Sequence, residues 1–377
     1  MVSASNKNKI AILIKKFGSI GGLEKYARNL AFAFDQRGLE VTVLTTGPVL
    51  ETFPFEVVSF DISSKFSFLQ LRHFDQRCLA WLEKHPMDIV FGMDRNSLQT
   101  HYRAGNGVHA AYLDRRKKNC PWWKRLSFDW NPLHRTILQF EKETFENPTT
   151  RLIFTNSQMV KQEILNYYTT PSEKITVVHN GVQWNELQEP FEKSFHMKET
   201  LLKKWNLPSN CCQLLFVGNE YGRKGLAYLL QALSNRKNFH LSVVGKDKNQ
   251  IGYQNLAKKL GISSQISFFG IQKEIVPFYQ MADAVIIPST YDPFANVTVE
   301  ALSMGCFVIS SNQNGGSEIL TKETGLILEN LDDIDSFSEA LLSISPKTKE
   351  KSLKIRNSVE HLTFKNQLKK IVDLTLS

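Results

Sequence analysis

The sequence predicts an α/β protein that contains two doubly wound parallel sheets. Short apolar segments rich in β-branched residues alternate with helical segments in the first half of the chain, and the same alternation restarts after residue 210. This alternation is typical of parallel strands that are covered by helices on both faces. A length of 377 residues is sufficient for two such domains.

The first domain is predicted over residues 1–181. Its strands are predicted at residues 9–15, 41–45, 88–92, 151–155 and 175–179. One helix is predicted over residues 23–36, where Gly38 ends it. Another helix is predicted to end at Tyr168 and to be capped by Asn156 or Ser157.

The second domain is predicted over residues 182–352, with a helical tail at 353–377. Residues 183–210 are polar and predict a hinge with one helix over 198–205. Six strands are predicted after it, at residues 213–218, 239–245, 266–269, 284–288, 307–310 and 325–328. Because ligands bind at the carboxyl ends of the strands in such sheets, we expect a cleft between the two domains to hold the ligand.

Composition narrows the class of protein. The chain has no apolar run near twenty residues and no apolar region at its N-terminus, so we expect no transmembrane helix and no secretory signal. Its five cysteines show no CxxC spacing, which predicts a reducing cytoplasm, no disulfide and no zinc site. A net charge of +9 favours anionic partners: nucleic acid, an acidic membrane or phosphorylated substrates.

The most informative segment is YDPFANVTVEALSMG, residues 291–305, which follows a predicted strand and opens a helix. Asp292 and Glu300 stand eight residues apart, and residues 294–298 between them offer backbone N–H groups at the helix N-terminus. A helix N-terminus binds anions because its first N–H groups lack partners and the macrodipole is positive there. Carboxylates on both sides of an anion site suit a ligand with hydroxyls at both ends and phosphates in the middle, such as a nucleotide-sugar. The alternative is an ordinary turn with solvated acids.

Two further turns carry residues that suit a diphosphate. Gly21 and Gly22 follow the first strand, where glycine lets a backbone approach a phosphate or a sugar; a plain strand-to-helix turn is the alternative. Arg223 and Lys224 follow the first strand of the second domain and could neutralise a diphosphate leaving group; a solvated basic turn is the alternative.

No metal motif is apparent. The chain contains one DxD, at Asp333 and Asp335, at the start of a late helix, where acids favour the helix dipole. We interpret this pair as a helix cap. We therefore predict no metal site and no cofactor, and we expect Arg223 and Lys224 to supply the charge stabilisation instead.

A polar loop and a basic segment follow the strand at 88–92. Arg103, Asn106, Gly107 and His109 form the predicted loop, and His109 could bond to a sugar hydroxyl or to the acceptor; a structural role is the alternative. Basic residues then alternate with aromatic ones, namely Arg115, Arg116, Lys117, Lys118, Lys124, Arg125 and Arg135 with Trp122, Trp123, Phe128 and Trp130. This pattern suits an anionic membrane surface. A solvated basic face over core aromatics and nucleic-acid binding are the alternatives.

These motifs, in this order, resemble the retaining family 4 glycosyltransferases, and among them bacterial lipopolysaccharide-core glucosyltransferases. The resemblance includes GGLEK, the GVH loop, the basic helix, RKG and the acidic pair, and it covers almost the whole chain. In that family an E-x7-E pair flanks the donor site, whereas the first acid here is Asp292, which is one methylene shorter. The resemblance implies a GT-B architecture, in which two Rossmann-like domains face a cleft and the last helix crosses back to the first domain. It also implies that the domain at 1–181 lies on the acceptor side and that the domain at 182–352 binds the nucleotide-sugar.

The resemblance also implies the activity. We expect a retaining, metal-independent enzyme that moves a hexose from a nucleoside-diphosphate sugar, such as UDP-glucose, to a lipid-linked saccharide such as lipopolysaccharide core. We expect it to lie peripherally on the inner face of the cytoplasmic membrane, with an anionic membrane surface and no nucleic acid as partner. The expected catalytic residues are Asp292, Arg223, Lys224 and His109, and the expected donor-binding residues are Gly21, Gly22, Phe294, Ala295, Asn296, Val297 and Glu300. The alternatives are a nucleotide-sugar epimerase of the same fold and a non-enzymatic basic protein that binds nucleic acid or membrane surfaces.

Overall fold

The fold is taken from a computed structural model, which describes residues 8–18, 21–49, 51–118 and 121–377. The chain divides into two compact units. The N-terminal unit is the chain up to Val178 together with Leu368–Ser377, and the C-terminal unit is His179–Gln367.

The N-terminal unit contains a seven-stranded parallel sheet with the strand order β3-β2-β1-β4-β5-β6-β7. The strands are β1 (Lys9–Lys16), β2 (Glu40–Thr46), β3 (Glu56–Phe60), β4 (Ile89–Gly92), β5 (His101–Ala104), β6 (Leu152–Thr155) and β7 (Ile175–Val177). The helices of this unit that precede Val178 are α1 (Gly22–Gln36), α2 (Ser67–Leu82), α3 (His109–Lys118), α4 (Trp122–Trp130), α5 (Pro132–Glu146) and α6 (Gln158–Tyr167). The apolar run of β1 is buried at the centre of the sheet, as expected for a strand with helices on both faces.

Two strands of this unit were not predicted. β3 is a half-buried edge strand, so its sequence lacks the continuous apolar run of a central strand. β5 reads HYRA and looks like a polar loop, yet it lies between β4 and β6 with Tyr102 fully buried. The predicted loop is correct for Asn106 and Gly107, which connect β5 to α3. It is wrong for Arg103, which lies on β5, and for His109, which is the first residue of α3.

The C-terminal unit contains a six-stranded parallel sheet with the strand order β10-β9-β8-β11-β12-β13. The strands are β8 (Cys212–Val217), β9 (Phe239–Val244), β10 (Ile266–Gly270), β11 (Ala284–Ile287), β12 (Phe307–Ser311) and β13 (Gly325–Leu328). The helices are α7 (Gln188–Lys204), α8 (Leu226–Leu233), α9 (Gln250–Lys259), α10 (Val276–Met281), α11 (Asn296–Ser303), α12 (Ile334–Leu342), α13 (Lys349–Asn357) and α14 (Phe364–Leu376), the last of which ends in the N-terminal unit. All six predicted strands are present to within one residue at each end.

The capping residue of α6 was predicted correctly, whereas the start of α7 was not. Ser157 caps α6, because its hydroxyl accepts from the backbone N–H of Val160 at 3.2 Å. The helix predicted over 198–205 is longer than expected and begins at Gln188. Pro190 does not prevent this earlier start, because it lies in the first turn, where no intrahelical N–H bond is required. Within the described residues, none of the helices is both long and apolar enough to cross a membrane.

Candidate active site

The N-terminus of α11 is built by a buried asparagine that the sequence did not single out. Asn314 is fully buried, and its side-chain Oδ1 accepts from the backbone N–H groups of Ala295 at 2.9 Å and Gly316 at 3.0 Å. Its Nδ2 donates to Thr298 and to Ser310, so the amide fixes the loop before α11 against the end of β12. A signal for this role was present in the QNGG turn after the predicted strand, but the contact joins residues 19 apart.

The anion site predicted at residues 294–298 is therefore smaller than expected. The N–H of Ala295 is already bonded to Asn314, and that of Thr298 donates to the carbonyl of Ala295 at 2.9 Å. In the described part of the chain, the backbone N–H groups of Phe294, Asn296 and Val297 donate to no protein acceptor. These three groups remain available to an anion at this helix end.

Three predicted catalytic residues lie together in the C-terminal unit. Nζ of Lys224 is 2.5 Å from Oδ2 of Asp292, and Nη1 of Arg223 is 3.4 Å from the same oxygen. Asp292 is 7% exposed, so its charge is almost removed from water and is balanced by these two cations. Nε of Arg223 also donates to Glu220 at 2.9 Å. The sequence predicted that these side chains share a site, but not that they pair with one another.

The turn that carries the cations is held against the end of β11. Gly225 adopts a left-handed conformation with φ of 77°, and a Cβ atom there would lie 1.8 Å from the carbonyl oxygen of Pro288. The backbone N–H of Thr290 donates to the carbonyl of Arg223 at 2.9 Å. The short distance between the two loops therefore requires glycine at position 225.

Glu300 lies one turn into α11 rather than at its start. Its side chain is partly buried, and Oε2 accepts a hydrogen bond from the hydroxyl of Tyr279 at 2.7 Å. Burial raises the pKa of Glu300, while the hydrogen bond from Tyr279 and the charge of Lys224 act in the opposite direction. The carboxylate that was predicted to bind the donor thus has one protein partner already.

In the N-terminal unit, His109 is fixed at the start of α3 by a buried carboxylate. The backbone N–H of His109 donates to Oε1 of Glu141 at 2.6 Å, and Glu141 also accepts from Arg95 and Tyr168. Nε2 of His109 lies 3.0 Å from Nδ1 of His134. Burial and then the nearby positive charges lower the pKa of His109 to about 3, so the imidazole is neutral at pH 7. It can form hydrogen bonds but does not carry a charge.

The predicted glycine turn precedes α1. Gly21 is the N-cap of α1, and a Cβ atom there would meet the flexible carboxylate of Glu24. A Cβ atom at Gly22 would meet no atom of the described chain within 4 Å, beyond its immediate chain neighbours. Among the described residues its surroundings are therefore open, as the approach of a ligand would require. Gly21, Gly22 and His109 belong to the N-terminal unit, and the other predicted site residues belong to the C-terminal unit.

The basic segment covers α3, α4 and the start of α5. Arg115 pairs with Glu163 at 2.6 Å, and Lys117 pairs with Asp129 at 2.6 Å, so two of its cations have acidic partners within the protein. Trp130, at the end of α4, is 77% exposed. The side chains of Lys118, Trp122, Trp123 and Lys124 lie outside the described residues.

Within the described ranges, no group of three or more His, Cys, Asp or Glu side chains is arranged to hold a metal ion. Asp333 is the N-cap of α12, and its carboxylate accepts from the N–H of Ser336 at 3.0 Å. The capping role predicted for the DxD pair is therefore confirmed for Asp333. Independence from metal ions stays a prediction.

Two family models match the chain, one in each half. The model described as Glycosyltransferase Family 4 matches residues 20–185, and the model described as Glycosyl transferases group 1 matches residues 197–362. An uncharacterized glycosyltransferase of Methanocaldococcus jannaschii is 29% identical over 81% of this chain and 80% of its own length. The lipopolysaccharide glucosyltransferase WaaG of Escherichia coli is 24% identical over 80% of each chain.

Solved structures show the same fold. The crystal structure of WaaG superposes with a TM-score of 0.77 at 21% identity, over 97% of this chain and 99% of WaaG. The structure of Anabaena HepE in complex with UDP-glucose superposes with a TM-score of 0.65 at 16% identity, over 98% and 99% of the two chains. At such identities the likeness shows the fold, which is GT-B as the sequence predicted.

Proposed function

This chain belongs to the family 4 glycosyltransferases of GT-B fold, and we propose that it is a retaining enzyme that takes a hexose from a nucleoside-diphosphate sugar without a metal ion. The observation that carries this proposal is the cluster of Lys224, Arg223 and Asp292 beside the loop that leads into α11. Two fixed cations at the end of a strand can stabilise the charge that develops on a departing diphosphate.

We propose that the diphosphate binds to the N–H groups of Phe294, Asn296 and Val297 and to both cations. Because Lys224 already pairs with Asp292, the diphosphate must share this cation with the carboxylate or displace it. Glu300 then accepts hydrogen bonds from the ribose, and Asp292 faces the sugar. Following the family resemblance, a phosphate oxygen of the leaving group helps to deprotonate the acceptor hydroxyl on the same face, so no enzymic nucleophile is required.

For the donor we propose UDP-glucose or a similar UDP-sugar, and for the acceptor a lipid-linked saccharide such as lipopolysaccharide core. Two similar proteins support this choice: WaaG is a lipopolysaccharide glucosyltransferase, and the crystal structure of HepE contains UDP-glucose. His109 is proposed to bond, as a neutral imidazole, to a sugar hydroxyl. Transfer is tested by adding saccharide acceptors to enzyme and UDP-glucose: acceptor-dependent release of UDP with a glycosylated product supports the proposal, and formation of a free epimerised sugar nucleotide contradicts it.

Replacing Glu300 with Gln should weaken nucleotide binding by roughly 1–3 kcal/mol, because a charge-assisted acceptor is lost. Titration calorimetry with UDP measures the change. Asp292→Asn should lower turnover more than nucleotide affinity, because Asp292 is proposed to face the sugar. Equal affinity of Glu300→Gln and the wild type for UDP would contradict the ribose role.

We also propose that the basic segment binds the inner face of the cytoplasmic membrane. The protein should sediment with anionic liposomes at low salt and be released by salt, because exposed cations are screened within a Debye length. Arg115 and Lys117 have acidic partners, so the exposed Arg116 and Arg135 are the cations to change. At ~1 kcal/mol for each cation, Arg116→Gln with Arg135→Gln should weaken liposome binding by about 30-fold.

A matched pair of exposed apolar residues controls this experiment. Trp130→Ala should also lower liposome binding, whereas Ile251→Ala, at a residue that is 72% exposed on the C-terminal unit, should not. UDP affinity should be unchanged in all these variants. Binding that is independent of liposome charge, or an equal loss in Trp130→Ala and Ile251→Ala, would contradict the membrane assignment.

A further inference from the structure

A buried tyrosine outside the predicted motifs contacts the carboxylate that we assign to the ribose. Tyr279 lies on α10, is 1% exposed, and donates from its hydroxyl to Oε2 of Glu300 at 2.7 Å. We propose that Tyr279 is a positioning residue, which turns Glu300 so that its other oxygen accepts a ribose hydroxyl of the nucleotide. This inference rests on the proposed function, because it concerns the ribose end of the same donor site.

The hydrogen-bond pattern of Glu300 leaves room for this ligand. Within the described residues, Oε2 of Glu300 accepts from Tyr279, whereas Oε1 accepts from no protein donor. An ionised carboxylate accepts at both oxygens, so Oε1 retains its full accepting capacity. With Oε2 held by Tyr279, rotation of the carboxylate about its last torsion angle is restricted, and Oε1 keeps a fixed direction.

The position of Tyr279 does not depend on a ligand. Its ring is buried in the core of the C-terminal unit, and its carbonyl oxygen accepts from Sγ of Cys306 at 3.4 Å and from Nζ of Lys347 at 3.5 Å. The hydroxyl is therefore presented to Glu300 by a rigid part of the fold. A preorganised acceptor loses less entropy when the nucleotide binds.

The electrostatic environment adds a second reason for the contact. Burial raises the pKa of Glu300, which favours the protonated form, and a protonated carboxyl has one accepting oxygen fewer for hydroxyl donors. The hydrogen bond from Tyr279 and the charge of Lys224 favour the ionised form. Removal of the hydroxyl thus affects both the direction and the ionisation of the acceptor.

The test replaces Tyr279 with Phe, which keeps the buried ring and removes the hydroxyl. Titration calorimetry is performed with the best-bound of UDP, ADP and GDP, with its 2′,3′-dideoxy analogue and with pyrophosphate. We expect the variant to bind the ribonucleotide roughly tenfold more weakly, since a hydrogen bond to a charged group is lost. The ratio between ribonucleotide and dideoxynucleotide affinity should fall by the same factor, and pyrophosphate affinity should change less than twofold.

A structural role for Tyr279 is separated from a positioning role by two comparisons. Tyr167→Phe removes a similar Tyr–carboxylate hydrogen bond, of 2.6 Å to Asp114, from the N-terminal unit and should leave nucleotide affinity unchanged. In a Glu300→Gln background, Tyr279→Phe should not lower ribose discrimination further, because the two residues act through one contact. Thermal unfolding verifies that each variant is folded. If Tyr279→Phe does not fold, Tyr279→Met is used in its place, because it also lacks the hydroxyl.

The outcomes are distinct. Full ribose discrimination in Tyr279→Phe, or additive losses in the double variant, would overturn the positioning role while leaving the proposed function standing. Wild-type protein that binds none of the three nucleoside diphosphates would instead contradict the proposed function itself.

Discussion

Lys224→Ala is expected to lower kcat/KM by ~10²-fold or more, the size typical of losing one preorganised charge-stabilising donor. The ammonium group is nearly buried, at 13% exposure of its side chain, and it lies 2.5 Å from Asp292 beside the loop into α11. In our proposal, a cation in this position would act on the departing diphosphate with little screening by water. Activity is measured as acceptor-dependent release of the nucleoside diphosphate.

Two controls make this prediction specific. Lys259→Ala removes an exposed lysine from the end of α9 in the same unit and should retain wild-type activity. Lys224→Ala leaves Asp292 with the more distant Arg223, so thermal unfolding is measured in parallel to show that the variant stays folded. An activity in Lys224→Ala within threefold of the wild type would contradict the assigned role.

Gly225→Ala is expected to destabilise the C-terminal unit by about 2–5 kcal/mol, through left-handed backbone strain and steric overlap together. The added Cβ would lie 1.8 Å from the carbonyl oxygen of Pro288, and a backbone atom cannot move away as the end of a side chain can. We expect a lower thermal midpoint and a loss of nucleotide binding, because the turn that carries Arg223 and Lys224 must shift.

The neighbouring glycine is a matched control. A Cβ atom at Gly222 would meet the hydroxyl of Tyr253 at 3.3 Å, and Gly222 does not adopt a positive φ. Gly222→Ala should therefore change stability by less than about 1 kcal/mol. Equal thermal midpoints for Gly225→Ala and Gly222→Ala would show that the close approach to Pro288 does not constrain position 225.

The sequence was sufficient for the strands with continuous apolar runs. β11 and β12 are buried along their whole length; β11 is entirely apolar and β12 begins with three apolar residues, so their boundaries were predicted to within one residue. β5 was missed because the sequence HYRA is short and polar, although His101 is buried and Arg103 is partly buried in the sheet. Burial of His101 there lowers its pKa to about 4, and local composition gives no sign of that environment.

Residues of the candidate site could be predicted from the sequence where they belong to one short motif. Residues that reach the site from distant segments of the chain could not. The roles proposed for Asp292 and Glu300 came from one short segment and its family resemblance. Asn314, Glu141 and Tyr279 were missed, because each acts on a site residue 19 to 32 positions away in the chain. The pairing of Lys224 with Asp292 joins residues 68 positions apart, and such a contact depends on the packing of the turn before α8 against the loop after β11.

The central claim is that this enzyme binds a nucleoside-diphosphate sugar through side-chain and backbone groups without a metal ion. It is tested most directly by calorimetric titration of UDP-, GDP- and ADP-sugars into the wild-type protein in the presence of EDTA, with Lys224→Ala and Glu300→Gln measured alongside. We predict saturable one-to-one binding of at least one donor, a UDP-sugar in our proposal, with weaker binding in both variants. Absence of binding to any donor in EDTA, with binding restored by magnesium, would contradict the account.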